Sequence, residues 1–310
     1  MEPTKLENDS AKEFDWAGYY ERKMADRFGN SNEGYNNWRL LENEPLLNTI
    51  KKYVKPGDTV LETGVGFGTL SIELTKEGYK CAGMDLSNAV NQSVARNAQA
   101  LGVKANIVDK THSPGTGMLT LFQGDMLKAG DIPQTNVIFS QGILEHYSPD
   151  ERIQMIKNLM DKADTVIISV PTAAQSDPHV REVFGLTVNK AVDGKDVGNI
   201  GDEKFDNPKV YESLIEQAGG ELIQKGGYAV MPDIRDGKFA EPNLGPGIEV
   251  FSRVADKDGF INFDNVFSLT VLHPRPVDTT KRDDPEELAR CYEAAYDRSL
   301  FAFWVIRKKQ

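Results

Sequence analysis

Asp58-Thr59-Val60-Leu61-Glu62-Thr63-Gly64-Val65-Gly66-Phe67-Gly68 is the stretch whose reading decides the fold. A short β-rich run, Asp58–Glu62, enters a turn with three glycines spaced two apart, and Leu70–Lys76 then reads as a helix ended by Gly78. Glycines at such a turn let the main chain bend tightly and let a ligand approach the backbone to van der Waals distance. A nucleoside triphosphate loop would need GxxxxGK[ST], and no lysine follows these glycines. A dinucleotide turn would need GxGxxG. Gly64 and Gly66 fit it, but position 69 is Thr and the third glycine comes one residue early, at Gly68.

Outward from this turn the chain alternates strand-like and helix-like segments, which predicts a mostly parallel sheet with helices on its faces. Lys80–Asp85 is the next strand. Ser87 is placed to cap a helix whose Val90, Val94, Ala98 and Leu101 form one stripe. Leu119–Gln123 and Asn136–Ser140 read as strands. Ser148-Pro149-Asp150-Glu151 combines a capping box with Pro at the first helical position. Thr165–Val170 is an apolar strand stopped by Pro171. Asn207-Pro208 opens a helix closed by Gly219-Gly220, Glu221–Val230 is a strand, Asp284-Pro285 opens the last helix, and Phe301–Ile306 is the last strand. Residues 172–206 show no clear period. Residues 232–283 hold five of the fifteen prolines, which argues against a long helix there; a hairpin is expected around Asp256–Gly259.

Composition excludes several classes. The 310 residues carry 36 Lys and Arg against 47 Asp and Glu, a formal charge of −11, a poor basis for whole-surface binding to nucleic acid or anionic lipid. Met1–Phe14 is rich in charge and has no apolar core, so a secretory signal is not expected. The longest strongly apolar runs, Val166–Val170 and Phe301–Ile306, fall far short of the roughly 20 residues that span a bilayer. Cys81 and Cys291 form neither a disulfide framework nor a zinc motif, and His112, His146, His179 and His273 are scattered, so no metal is expected. The expectation is a cytoplasmic protein without nucleic-acid or membrane partners; oligomeric state leaves no signal.

The Glu62…Gly64-x-Gly66-x-Gly68 spacing is similar to motif I of the class I S-adenosylmethionine-dependent methyltransferases, of the small-molecule type. Three further matches join it. Asp85 ends the second strand 21 residues after Gly64, where a carboxylate can accept from two ribose hydroxyls. Gly124-Asp125-Met126 follows the third strand. Ser140-Gln141-Gly142-Ile143-Leu144-Glu145-His146-Tyr147 follows the fourth. By this resemblance the fold is a Rossmann-like, seven-stranded, mostly parallel, doubly wound sheet with a reversed last strand, an N-terminal helical cap and inserted lid segments. It implies residues 1–49 as cap, 50–232 and 284–310 as the cofactor-binding domain, and 233–283 as an insertion and substrate lid; the 103–118 stretch is longer than usual.

The resemblance also implies site residues. Gly64, Gly66 and Gly68 would bed the methionine part of S-adenosylmethionine, with Glu62 toward its ammonium group. Asp85 would hold the ribose and Asp125 the adenine amino group, with Leu86, Met126 and Gln141 as further cofactor-binding residues. His146 is the candidate base, its ordinary pKa being suited to neutrality, with Tyr147 beside it. Tyr19 and Tyr20, with Trp16, resemble the aromatic lid over the cofactor. Each has an ordinary alternative: Asp125 as a turn acid, Gln141 as partner of a buried carbonyl, His146 as a lining residue, the aromatics as a helix face. Glu145 would orient His146 or cap the next helix. His179, Arg181, His273 and Arg275 lie in irregular segments where a substrate carboxylate or phosphate could be read, and His112 in the long 103–118 stretch; the ordinary reading of each is solvated surface. The implied activity is methyl transfer to an oxygen or nitrogen of a small molecule, leaving S-adenosylhomocysteine. Alternatives are an NAD(P)-dependent oxidoreductase, disfavoured by Thr69 and Asp125; a non-catalytic sensor or subunit; and a protein methyltransferase. No Asn/Asp-Pro-Pro-Tyr/Phe motif of base methylation follows strand four.

Overall fold

The computed structural model describes residues 15–21, 31–108, 114–176, 205–231, 233–235, 238–240, 242–251 and 273–309. After a short helix α1 at 16–21, the main elements run α2 (Asn32–Tyr53), β1 (Thr59–Thr63), α3 (Thr69–Lys76), β2 (Lys80–Asp85), α4 (Asn88–Ala100), β3 (Lys104–Ile107), β4 (Met118–Gln123), β5 (Thr135–Gln141), α5 (Pro149–Met160), β6 (Ala163–Pro171), α6 (Pro208–Gln217) and β7 (Gly220–Val230). Short strands β8 (Asp233–Arg235), β9 (Lys238–Ala240), β10 (Ile248–Phe251) and β11 (His273–Pro276) precede α7 (Pro285–Ala295) and β12 (Ser299–Lys308).

The central sheet has eight strands in the order β3-β4-β2-β1-β5-β6-β12-β7. All neighbouring pairs are parallel except those of β12, which runs antiparallel to both β6 and β7. The expected reversed last strand is therefore present. The expected count of seven is corrected to eight. The extra strand, β3, lies in the long 103–118 stretch and pairs with β4 at the sheet edge. Its residues Lys104-Ala105-Asn106-Ile107 alternate polar and apolar, but the run is short and mostly exposed, so it is a weak strand signal.

Alternation along the strands divides the core between two faces. Val60, Val137, Phe139, Ile167 and Phe303 pack with α2, α3, α4 and α7 residues such as Ile50, Leu70, Val94 and Tyr292. Leu61, Ile138, Val166, Ile168 and Trp304 pack with α5 and α6 residues such as Ile156, Leu159, Tyr211 and Leu214. This is the doubly wound arrangement. The helix starts are local chemistry: Ser87 accepts from the Val90 N–H, Ser148 and Glu151 form both halves of a capping box, Asn207 accepts from Lys209, and Asp284 accepts from Glu286 and Glu287.

Within 233–283 the described residues hold two antiparallel strand pairs, β8 with β9 and β10 with β11, and no long helix. The Asp256–Gly259 turn, His112, His179 and Arg181 lie outside the described residues. Among those residues no helix is long and apolar enough to cross a membrane.

Candidate active site

The carboxyl ends of β1, β2, β4 and β5 open into one cavity of about 340 Å³, the lower end of the size usual for small-molecule sites. Gly64 from the β1 turn, Asp85 and Leu86 after β2, and Asp125 and Met126 after β4 contribute to its wall. His146 and Tyr147 close it from the loop after β5, and Trp16 and Tyr20 of α1 cover it.

The glycine turn is folded onto the neighbouring strand: the N–H groups of Gly64 and Val65 both donate to the Met84 carbonyl, at 2.8 and 3.2 Å. Gly64 has φ 69°, and a Cβ there would lie 2.2 Å from Ile143 Cδ1. At Gly66, φ is 52° and a Cβ would lie 2.8 Å from the Tyr20 hydroxyl. Both positions therefore need glycine, one because the β5 loop packs on it and the other because the α1 phenol does. Gly68 caps α3 and packs against Val94.

The two acids at the glycine turn and β2 are placed differently. Asp85 borders the cavity, with the Ser87 N–H donating to its Oδ1 at 2.9 Å. Burial pushes its pKa up to about 6, against hydrogen bonds from the Ser87, Gly66 and Leu86 backbones. Glu62 does not line the cavity. It is buried beneath the turn, where the Ser71 N–H and hydroxyl donate to its Oε2 at 3.3 and 2.6 Å. Burial raises it to about 7, opposed by Ser71 and by the Arg39 guanidinium. Asp125 is placed at the cavity and in a turn at once. It borders the cavity, and its Oδ1 also accepts from the Leu127 N–H at 3.0 Å within its own turn.

His146 is buried at the cavity wall with the Trp16 ring edge-on at 5.2 Å. Burial first, and the Arg152 cation second, lower its pKa to about 4, while a hydrogen bond with Gly142 opposes them. The imidazole is thus neutral at neutral pH and a weaker base than its ordinary value implies. Burial pushes the Tyr147 phenol up to about 12, so it is a hydrogen-bonding hydroxyl rather than a phenolate. Tyr19 stands edge-on to Trp16 and Tyr20, at 5.9 and 5.3 Å, and completes the aromatic cluster without lining the cavity.

Gln141 is corrected. Its Nε2 donates to Asn43 of α2 and, at 3.0 Å, to the Tyr228 hydroxyl, and it does not line the cavity. Tyr228 in turn bonds Ser169 at 2.9 Å, so Gln141 belongs to a buried polar knot tying α2 to β5, β6 and β7. His273 and Arg275 are corrected too. His273 is 2% exposed; the Ala229 N–H donates to its Nδ1 at 3.3 Å, and Nε2 lies 2.7 Å from the Leu41 carbonyl. Arg275 pairs with Glu44. Both side chains fasten β11 to α2, a contact between segments more than 200 residues apart that no local pattern announces. Gln123, Asn88 and Ile143 also border the cavity, as does Ser87, which reads in sequence only as a helix cap. Their signal was position: each flanks a strand end already identified.

No protein-family model matches the sequence. Among curated proteins the chain is similar to the ribosomal protein L11 methyltransferase of Campylobacter concisus, 45% identical over 60 residues, which are 19% of this chain and 22% of that protein. It is also similar to the protein of the same name from Thermus thermophilus, 33% identical over 63 residues, 20% of this chain and 25% of that one. The chain thus spans about a fifth to a quarter of the length of the curated relatives it matches. Among solved structures, a SAM-dependent methyltransferase from Archaeoglobus fulgidus superposes with a TM-score of 0.50 at 13% identity, covering 94% of this chain and all (100%) of that one. The magnesium protoporphyrin IX methyltransferase of Synechocystis PCC 6803 with bound SAH gives 0.46 at 16% identity, over 72% and 90% of the two chains. The fold is the Rossmann-like fold of the class I S-adenosylmethionine-dependent methyltransferases.

Proposed function

We propose that this chain, which has the class I methyltransferase fold, binds S-adenosylmethionine in the 340 Å³ cavity and transfers its methyl group to an oxygen or nitrogen of a small molecule, leaving S-adenosylhomocysteine. One observation carries the reading: Gly64, Asp85, Asp125 and His146, taken from four different strand ends, border a single cavity. Ligands of open α/β sheets bind at this edge.

The residues present fit the cofactor. Asp85 would accept from the vicinal ribose hydroxyls, and Leu86, Met126 and Ile143 offer apolar surface to a purine with Asp125 at its amino edge. Glu62, held by Ser71 and not lining the cavity, would act on the cofactor only at a distance, through its charge when ionised. When bound, the cofactor supplies an electrophilic methyl group on a sulfonium. The protein's part is to orient and to exclude water; alignment alone supplies roughly 7–11 kcal/mol in favourable intramolecular cases. Trp16 and Tyr20 cover the cavity and serve the second task. His146, neutral near pH 7, would accept a hydrogen bond from the nucleophile's O–H or N–H and so aim its lone pair, with weak drive for full proton transfer. In this reading 1–49 is a cap, 50–232 with 284–310 the cofactor domain, and 233–283 the segment that selects the acceptor.

A melting assay separates this reading from a nicotinamide enzyme. A ligand that binds only the folded chain stabilises it by about 2.7 kcal/mol at a hundredfold excess over its dissociation constant. S-adenosylhomocysteine should raise the melting temperature and NAD should not; stabilisation by NAD alone would sink the proposal. A second reading, a protein acceptor, is favoured by the ribosomal protein L11 methyltransferases among the relatives. Radiolabelled S-adenosylmethionine, incubated with a metabolite extract or with a ribosomal protein fraction, decides between them by where the label goes. A binding subunit would label neither.

A further inference from the structure

Arg152 of α5 is 1% exposed, yet it carries a charge that the reaction does not use. Its Nε donates to the Tyr147 carbonyl at 2.8 Å, its Nη2 to the Glu145 carbonyl at 3.1 Å, and its Nη1 to Asp206 Oδ2 at 2.5 Å. The two carbonyls flank His146 in the chain, so the guanidinium grips the main chain on either side of that residue. Asp206 lies just before α6, and its own carbonyl accepts from the Ala173 N–H at 3.1 Å, just after β6. The Tyr211 ring lies 5.2 Å from the guanidinium and stacks on Trp304 of β12 at 5.1 Å.

A buried cation is expensive, and an apolar side chain of similar volume would often cost less. A point charge could pair with Asp206 as well. What only the planar fork of arginine provides is three directed bonds at once, to two carbonyls of one loop and to a carboxylate of another segment.

We propose that Arg152 is a positioning residue: held by Asp206, it fixes where His146 and Tyr147 stand in the cavity and ties that wall to the exit of β6. The proposal rests on the methyltransferase reading for its consequence, the affinity of the cavity for S-adenosylhomocysteine. Its structural content, the placement of His146, stands apart from that reading. The cation is also one cause of the low basicity of His146, so the two groups sense each other.

The test uses the full chain and three variants. Arg152→Lys keeps the charge and loses the fork. Arg152→Gln loses both. Asp206→Asn keeps the fork on the carbonyls and loses the ionic anchor; its side chain is 32% exposed and the amide oxygen still accepts from Nη1, so it disturbs the packing less than the Arg152 variants do. Imidazole titration by NMR reads His146, and calorimetry reads S-adenosylhomocysteine. Both Arg152 variants should lose roughly tenfold in affinity through misplacement of the wall, and Asp206→Asn a smaller part of that. Only Arg152→Gln should also raise the His146 pKa, by about one unit. In Asp206→Asn the His146 resonances should move at constant, neutral pH. A role confined to stability would lower the melting temperature and leave both readouts unchanged well below it. Unmoved His146 resonances in Asp206→Asn overturn the proposal, as does an unchanged dissociation constant in all folded variants. If the wild type does not bind S-adenosylhomocysteine at all, the functional reading fails and the His146 arm still decides the positioning claim.

Discussion

Asp85 is where the chemistry of the site is most exposed to experiment. With its pKa pushed up to about 6 it is half protonated at that pH, and the carboxylate would accept from the proposed ribose hydroxyls more strongly than the neutral acid, one of whose oxygens has become a donor. Binding of S-adenosylhomocysteine should therefore release about half a proton at pH 6 and almost none at pH 8, and affinity should fall as pH drops below about 6. Calorimetry in buffers of different ionisation enthalpy measures this directly. Asp85→Asn should abolish the proton release and weaken binding; a variant that still releases it would move the titration to another group. Gly64 makes a second residue-scale prediction. Ala at that position combines φ 69° with a 2.2 Å approach to Ile143 Cδ1, and should cost about 1–3 kcal/mol in urea unfolding. Both residues were legible in the sequence because a glycine turn and a strand-end acid are signals written in adjacent positions. His146 was legible as a position but not as a base, because its basicity is set by burial and by Arg152, which a linear pattern does not weigh.

Helix starts show the same division at the scale of elements. The capping box at Ser148 and the caps at Ser87, Asn207 and Asp284 were readable, since capping couples residues two or three apart. The anchoring of β11 on α2 was not, since His273 meets Leu41 and Ala229 only after the chain has closed. Strand β3 is faint in sequence for a different reason: it pairs on one edge and mostly faces solvent, so its alternation of Ala105 and Ile107 with polar residues is too short to stand out. Helix α1 is the element with the most to say about function. It touches the site through Tyr20 on Gly66 and Trp16 on His146. Trp16→Ala removes the aromatic cover while leaving the sheet intact. It should speed dissociation of S-adenosylhomocysteine by roughly tenfold with little change in melting temperature. Stopped-flow displacement checks this, and an unchanged off-rate would show that α1 does not gate the cavity.

For the whole molecule, the buried titratable groups oppose one another. Glu62 and Asp85 have folded pKa values near 7 and 6, above their ordinary 4.5 and 3.8. The stability they confer is fully present below those ordinary values and is lost as pH rises through 6 and 7. His146 and His273 run the other way, with folded values below the ordinary 6.5 because burial disfavours the imidazolium. The stability they confer is present above 6.5 and is lost as pH falls through their lowered folded values, about 4 for His146. Between pH 7 and 5 the folded chain takes up protons on two carboxyls while the unfolded chain takes them up on imidazoles, so the slopes oppose one another. The melting temperature of the ligand-free protein should change less over that interval than either pair alone would make it. Glu62→Gln breaks the balance, because glutamine keeps an oxygen for Ser71 and never ionises. At pH 8, where the wild type holds a buried carboxylate, the variant should melt higher. From pH 7 to 5 it should lose stability relative to the wild type, the imidazoles being then opposed by Asp85 alone. Scanning calorimetry across pH 5 to 8 gives both profiles. Parallel curves would mean that Glu62 is already charged at pH 5, and that the Arg39 guanidinium outweighs burial beneath the glycine turn.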